Sequence, residues 1–323
     1  MNWEIFWIIV GALVLFGIAF YLFSTVVAAY IVYRETLVRK HKDMWGRTVS
    51  FNSERMHNMD REGLAWQREH DAFKKEVHIV NKGLNLYGEY YDLGFDKAVM
   101  ILSGRTESLR YGYYFARPYS ESGFNVLVVD PRAHGLSDGK YNTVGFEESG
   151  DALAWTEYIH ETFGMDTIIF HGICIGAAGG MYAITSDNCP DYIKGLVTEG
   201  MFVNFRESVK NHLIERKKLM FPILECIDMW MKHYTGHSFC FGPINVIHKM
   251  NKPLLMLQSL EDKYSKAENA KKLYAACGSE NKQLVLFEKG DHSMLRITDT
   301  EKYDATIKAF LQKHFSACGN TAE

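Results

Sequence analysis

Residues 168–180 read IIFHGICIGAAGG, and this run determines what the rest of the chain must supply. An apolar stretch typical of a strand leads directly into a Gly-x-Cys-x-Gly turn, and small residues follow it. A sharp strand-to-helix turn of this kind holds its central side chain clear at the top of a sheet. The flanking glycines are required because larger side chains would clash with the neighbouring strand and helix. The pattern therefore predicts a nucleophile elbow with Cys174 at its centre, where the common motif carries serine.

An uncharged segment lies near the N-terminus. Residues 5–33 carry no charged side chain, and about 20 apolar residues suffice to cross a bilayer. Aromatic residues stand at both ends, where interfacial anchors are expected: Trp3, Trp7, Tyr30 and Tyr33. A cleaved signal peptide would have a basic start and a shorter apolar core, and a buried core helix is the other alternative. We expect residues 1–33 to be a transmembrane anchor.

The charges around this segment predict its orientation. Glu4 precedes it, and five basic residues follow it within a short distance: Arg34, Arg39, Lys40, Lys42 and Arg47. Basic residues favour the inner face of a membrane, so we expect a single-pass protein of the cell membrane with its large domain in the cytoplasm. The six cysteines show no spacing of disulfide or zinc type, which suits a reducing compartment.

The rest of the chain is long enough for one large α/β domain. The protein has 323 residues, of which 47% are hydrophobic, and a net charge of -3. This near-neutral charge does not indicate a nucleic-acid partner. We expect residues 34–75 to form a juxtamembrane linker with a short amphipathic helix at 56–73, and residues 76–318 to form the domain.

Strand patterns alternate with helical patterns along that domain. The predicted strands are residues 76–80, 84–91, 97–102, 125–129, 167–170, 193–198, 253–257 and 283–287. The predicted helices are residues 108–122, 144–163, 175–186, 268–277 and 302–315. Such alternation builds βαβ units, so the expected fold class is α/β with an eight-stranded, mostly parallel sheet.

Residues 201–250 separate the sixth and seventh strands and are rich in Met, Phe, Trp and Ile. Helices inserted there would lie over the carboxyl-terminal edge of the sheet, where open α/β sheets bind ligands. We expect them to form a lid, and ordinary packing helices are the alternative.

A nucleophilic cysteine needs a base, and the base needs an acid that orients it. The loop after the eighth strand presents His292, and the loop after the seventh presents Asp262 with Glu261 beside it. We predict that His292 is the base and that Asp262 holds its imidazole in the correct tautomer. Glu261 is the alternative acid, because spacing does not separate adjacent carboxylates.

Backbone donors complete such a site by stabilising the oxyanion. We expect one from the N–H of Ile175, directly after the nucleophile, and one from the N–H of Arg105 in the loop after the third strand. The side chain of Arg105 is either a solvated charge or a group that favours an anionic acyl substrate.

A second Gly-x-Ser-x-Gly pattern occurs at residues 135–139, around Ser137. It begins five residues beyond a predicted strand, and the residues that follow it do not begin a helix. Because an elbow needs a strand on one side and a helix on the other, Ser137 is not expected to be the nucleophile. His134 in the same loop is expected to be structural.

Residues 76–315 resemble the α/β-hydrolase superfamily, and most of all the branch called serine aminopeptidase S33 or lysophospholipase-like, which includes membrane-anchored bacterial members. Residues 130–139, DPRAHGLSDG, are similar to the structural Asp-x-Arg-Gly-His-Gly-x-Ser-x-Gly loop of that branch. Cys174, Asp262 and His292 fall on its nucleophile, acid and base positions. The chain departs from the branch in its cysteine elbow, in Ser103-Gly104 where His-Gly is usual, and in an acid loop that keeps little besides the Asp.

A cysteine elbow is found in a minority of the superfamily, among dienelactone hydrolases, polyhydroxyalkanoate synthases and some acyl-CoA acyltransferases. These share a thioester acyl-enzyme, which favours ester, lactone or thioester substrates over peptides. The resemblance implies a membrane-anchored hydrolase that cleaves an ester or thioester through Cys174, with a small-molecule or lipid-like acyl substrate and without cofactor or metal. Acyl transfer to an acceptor other than water and a catalytically degenerate binding or scaffold protein are the alternatives.

Overall fold

The structure is a computed structural model that describes residues 3–46, 53–218 and 221–316. Arg47 and other parts of the predicted linker, two lid residues (219–220) and residues 317–318 of the predicted domain lie outside this range.

The described residues form an eight-stranded sheet, as predicted. Its strands are β1 (Lys74–Asn81), β2 (Leu84–Tyr91), β3 (Lys97–Leu102), β4 (Asn125–Val129), β5 (Thr167–Ile173), β6 (Ile193–Glu199), β7 (Leu254–Ser259) and β8 (Lys282–Phe287). Their spatial order is β1-β2-β4-β3-β5-β6-β7-β8. β2 pairs antiparallel with both β1 and β4, and the other neighbours are parallel.

Helices cover both faces of this sheet. They are α1 (Trp3–Leu37), α2 (Glu54–Glu69), α3 (Leu109–Ser120), α4 (Phe146–Phe163), α5 (Ile175–Ile184), α6 (Phe205–Glu215), α7 (Ile223–Thr235), α8 (Ala267–Ala276), α9 (Leu295–Thr298) and α10 (Thr300–Phe315). Alternate residues of the strands pack into two cores, one on each face of the sheet. Met100 packs in the core that includes α4, α5 and α8, and Val99 packs in the core that includes α2, α3 and α10. The predicted α/β fold class is confirmed.

The N-terminal helix differs from the predicted anchor, because it ends at Leu37 instead of residue 33. Among the described residues it is the one helix long and apolar enough to cross a membrane. Residues 3–23 project from the domain and are largely exposed, whereas Ala29, Tyr33 and Leu37 are buried against it. The projecting part is about 32 Å long at 1.5 Å per residue, close to the thickness of a bilayer core.

The predicted lid contains α6 and α7, and α1 packs against α7. The indole N–H of Trp230 donates to the backbone carbonyl of Val26 at 3.1 Å. Aromatic rings continue this contact, with centroids 4.9 Å apart for Tyr30 and Trp230 and 5.6 Å apart for Tyr33 and Tyr234. The membrane-type helix is therefore joined to the lid and is not separated from the domain by a linker that begins at residue 34.

Candidate active site

The turn around Cys174 has the geometry of an elbow. β5 ends at the residue before it and α5 begins at the residue after it. Cys174 has φ 52° and ψ −108°, a backbone conformation that residues other than glycine rarely adopt. A Cβ on Gly172 would lie 2.5 Å from the Cα of Ala177, and one on Gly176 would lie 2.0 Å from the carbonyl oxygen of Leu102. Both glycines are therefore required by close backbone approach.

His292 and Asp262 meet at the same edge of the sheet. The Nδ1 of His292 is 2.7 Å from Oδ2 of Asp262, whose side chain is almost fully buried. The other carboxylate oxygen accepts the backbone N–H groups of Tyr264 and Ser265, both at 2.8 Å. These bonds fix the carboxylate, so it can fix the imidazole in turn. Of the two candidate acids, Asp262 is the one that contacts His292.

His292 also interacts electrostatically with Cys174. Burial lowers the pKa of His292, but the electrostatic interaction with Cys174 and the hydrogen bond with Asp262 outweigh it, and the pKa lies well above its usual value. A protonated imidazole beside the sulfur stabilises a thiolate, which is the nucleophilic form of cysteine. The structure thus brings the three predicted side chains together in the order that acyl transfer requires; their catalytic roles stay a prediction.

The loop after β3 lies against the elbow. The carbonyl oxygens of Leu102 and Ser103 are the atoms that a side chain on Gly176 would meet. The largely buried Arg105 interacts electrostatically with Cys174, and its Nη1 donates to the backbone carbonyl of Thr36 at 3.0 Å. Burial lowers the pKa of this guanidinium, while the charge of Cys174 opposes the shift. The side chain is therefore not a solvated charge, and the proposed oxyanion donors, the N–H groups of Ile175 and Arg105, stay a prediction.

Comparison with known proteins agrees with this architecture. A family model described as alpha/beta hydrolase fold matches residues 97–222. The Pyrococcus furiosus esterase Pf2001 has a TM-score of 0.65 to this chain at 22% identity, covering 77% of this chain and 94% of the esterase. This protein has the α/β-hydrolase fold.

Two sequence relatives extend the comparison. YqkD of Bacillus subtilis is 28% identical over 255 residues, which is 75% of this chain and 83% of YqkD. YNL320W of Saccharomyces cerevisiae, described as a membrane protein, is 22% identical over 181 residues, which is 56% of this chain and 59% of YNL320W.

Two carboxylates near the site, the half-buried Glu107 and the fully buried Glu199, were missed by the sequence reasoning. Glu107 accepts the backbone N–H of Gly104 at 3.0 Å, and burial raises its pKa to about 7. Glu199 accepts the backbone N–H of Leu295 at 3.0 Å and the hydroxyl of Tyr303 at 2.7 Å. Glu107 had a weak signal, since it stands in the predicted oxyanion loop. Glu199 ends a buried strand and had none.

The lid contributes a residue that the sequence did not single out. The imidazole of His212 on α6 stacks on the ring of Tyr264, with centroids 3.8 Å apart. Burial lowers the pKa of His212 to about 4, and the neighbouring charges of Arg105 and His292 act in the same direction. The lid therefore reaches the acid loop next to His292.

Ser137, the centre of the second Gly-x-Ser-x-Gly pattern, is a structural residue. Its side chain is buried, donates to the carbonyl of Asp130 at 2.7 Å and accepts the N–H of Tyr87 at 2.9 Å. His134 is buried with its two ring nitrogens 2.8 Å from the carbonyl of Arg132 and 2.7 Å from the carbonyl of Arg105.

Glu261, the alternative acid, accepts the backbone N–H of Gly290 at 3.2 Å and so supports the loop that carries His292. Residues 3–46, 53–218 and 221–316 contain no group of three or more His, Cys, Asp or Glu side chains that could hold a metal ion.

Proposed function

We propose that this protein is a membrane-anchored hydrolase that cleaves an ester or thioester through a thioester acyl-enzyme. Cys174 is its nucleophile, His292 its base and acid, and Asp262 the group that orients His292. The observations that carry the proposal are the hydrogen bond between Asp262 and His292 and the electrostatic interaction of His292 with Cys174, which stands on a strained elbow. A fold shared with a protein described as an esterase supports it further.

In the first half of the reaction the Cys174 thiolate attacks the acyl carbon, and a carbon–sulfur bond forms. The carbonyl oxygen becomes an oxyanion, which the N–H groups of Ile175 and Arg105 would stabilise. When the tetrahedral intermediate collapses, the bond to the leaving alcohol or thiol breaks. The His292 imidazolium gives that group its proton, so the acyl-enzyme is left with a neutral imidazole.

In the second half, neutral His292 takes a proton from water, and the resulting hydroxide attacks the thioester carbon. The carbon–sulfur bond then breaks, which releases the carboxylic acid and restores the thiolate–imidazolium pair. Asp262 stabilises the imidazolium in both halves without accepting its proton.

The anchor and its orientation belong to the same proposal. α1 projects a largely exposed apolar segment as long as a bilayer core is thick, and basic residues follow it on the domain side. YNL320W, a relative described as a membrane protein, supports this placement. We infer a single pass through the cell membrane with the hydrolase domain in the cytoplasm.

Trapping the acyl-enzyme tests the chemistry. The full-length chain in detergent is mixed with p-nitrophenyl esters and with acyl-CoA, quenched in acid and digested for mass spectrometry. We expect an acyl group on the peptide that contains Cys174. Cys240→Ala is the matched control, because Cys240 is an exposed free cysteine with no role in the proposed reaction. Absence of any adduct on Cys174, together with turnover that Cys174→Ala leaves unchanged, would refute the proposal.

Labelling with a membrane-impermeant maleimide tests the orientation. The exposed Cys240 should be protected in intact cells and should react after permeabilisation. Trp3→Cys, at the other end of α1, should react in intact cells. The reverse pattern would place the domain on the outer side.

A further inference from the structure

We propose that the groove between α1 and the lid binds the acyl chain of an ester dissolved in the bilayer and guides its carbonyl to Cys174. The membrane anchor would then form one wall of the substrate site. This inference rests on the proposed hydrolase function and specifies its substrate as a long-chain acyl ester of the membrane.

The groove has a volume of about 690 Å³, which is within the usual range of ligand sites. One wall is a single face of α1, where residues recur at helical spacing: Tyr21, Ser24, Thr25, Ala28, Val32 and Thr36. The other wall comes from α6 and α7 and includes Phe205, Val209 and Ile227. From Tyr21 to Leu37 the α1 wall is about 24 Å long at 1.5 Å per residue.

Two sets of contacts connect the inner end of the groove with Cys174. Arg105 lines this end and interacts electrostatically with Cys174. Leu37, Phe205 and Ile227 line the groove and also belong to the apolar cluster into which Cys174 packs. An acyl chain in the groove would therefore extend towards Cys174, which does not itself line the groove.

The outer end lies where α1 leaves the domain. The hydroxyl of Tyr21 donates to the carbonyl of Phe221 at 3.4 Å, and the Phe221 side chain is 75% exposed. Lys217 and Lys218 line the same end. If residues 3–23 span the bilayer, this edge of the lid lies at its surface, where an aromatic side chain enters the apolar layer and lysines meet lipid headgroups.

These contacts favour a membrane ester over a soluble one. A long acyl chain that enters beside Tyr21 lies between the apolar walls of α1 and the lid, and its burial there stabilises it. A short acyl group gains little from the same walls.

The test fills the groove from the α1 side. Val32→Trp is made in the full-length chain, reconstituted in phospholipid nanodiscs, and kcat/KM is measured for p-nitrophenyl palmitate and p-nitrophenyl butyrate. We expect the palmitate-to-butyrate ratio to fall at least about tenfold, as when a pocket excludes part of its ligand. Val27→Trp is the control, since Val27 is 41% exposed and does not line the groove. An unchanged ratio in Val32→Trp would overturn the inference.

A second measurement does not depend on the variant's folding. A palmitate ester with a diazirine in its chain is photolysed with the wild-type protein, and the cross-linked peptides are mapped. Cross-links to both α1 residues 21–37 and α6 are expected, and cross-links that omit α1 would contradict the inference. Failure of the proposed chemistry is a separate result, recognised by hydrolysis of both esters that persists in Cys174→Ala.

Discussion

The chain carries two Gly-x-Cys/Ser-x-Gly patterns, and the two turns place their central side chains differently. In the elbow turn (residues 172–176) the left-handed φ of 52° falls on Cys174 itself, which stays partly exposed. In the second turn (residues 135–139) positive φ falls on the glycines, 48° at Gly135 and 117° at Gly139, and Ser137 is buried in backbone hydrogen bonds. The same sequence pattern therefore leaves the central side chain partly exposed in one turn and buries it in the other.

The position of each turn relative to the sheet explains the difference. The elbow turn joins β5 directly to α5, so its central residue stands above the sheet edge. The second turn folds back on its own loop. Its backbone lies so close to Asp130 that a Cβ on Gly135 would be 2.2 Å from the carboxylate. The end of β3 and the loop after it lie between the two turns: the Leu102 carbonyl approaches Gly176, and the Arg105 carbonyl contacts His134. One turn holds Cys174, the predicted nucleophile, and the other supports the loop opposite it.

Removing the two central side chains tests this division most strongly. Cys174→Ala should lower kcat/KM for p-nitrophenyl butyrate by at least about 10⁴-fold, because no other group on the elbow can form the acyl-enzyme. Ser137→Ala, measured in parallel, should change it less than about twofold. Comparable losses in the two variants would mean that the contrast between the turns is wrong.

The next largest effect on activity is expected from Asp262, which contacts His292. Asp262→Asn keeps the shape of the side chain but removes the charge that stabilises the His292 imidazolium, and its amide N–H₂ favours the wrong tautomer. We expect kcat to fall by about 10²–10⁴-fold, with a small change in KM. Glu261→Gln is the matched control, since Glu261 contacts Gly290 and not His292. A larger loss in Glu261→Gln would move the acid to the neighbouring residue.

Much of this arrangement could be predicted from sequence, for a physical reason. Buried parallel strands read as continuous apolar runs, and chain order alone places the loops after β7 and β8 near the elbow. The packing of α1 on the lid could not be predicted. In the sequence, Tyr30 and Tyr33 read the same whether they face lipid headgroups or stack on Trp230 and Tyr234. Glu107 was missed for a related reason, because its raised pKa depends on its folded environment and not on its position in the sequence.

A smaller effect tests the Glu107 carboxyl, which accepts the Gly104 N–H in the loop after β3, through the pH dependence of stability. Burial raises the pKa of Glu107 to about 7, so the folded protein retains this proton more tightly than the unfolded chain does. The wild type therefore loses stability as pH rises from about 4.5 to about 7, and the loss is complete above that range. Glu107→Gln keeps an acceptor for the Gly104 N–H but has no proton to lose. Its stability relative to wild type should rise by about 2–3 kcal/mol between about pH 5 and pH 8.

Denaturant unfolding in detergent at both pH values measures this difference. Lys289→Gln, at an exposed site, should follow the wild-type pH dependence. A constant difference between wild type and Glu107→Gln would show that the carboxyl does not titrate in this window.

The smallest effect is expected from the second turn. Ser137→Ala removes the hydroxyl that links the carbonyl of Asp130 to the N–H of Tyr87, and it leaves both backbone groups buried without that partner. The free energy of unfolding should fall by roughly 1–2 kcal/mol, measured by denaturant titration. Ser186→Ala is a suitable comparison, because the Ser186 hydroxyl donates to Ala183 at the end of α5 and its loss should cost less. If Ser137→Ala costs no more than Ser186→Ala, the second turn does not owe its shape to this hydroxyl, and the contrast with the elbow rests on the glycines alone.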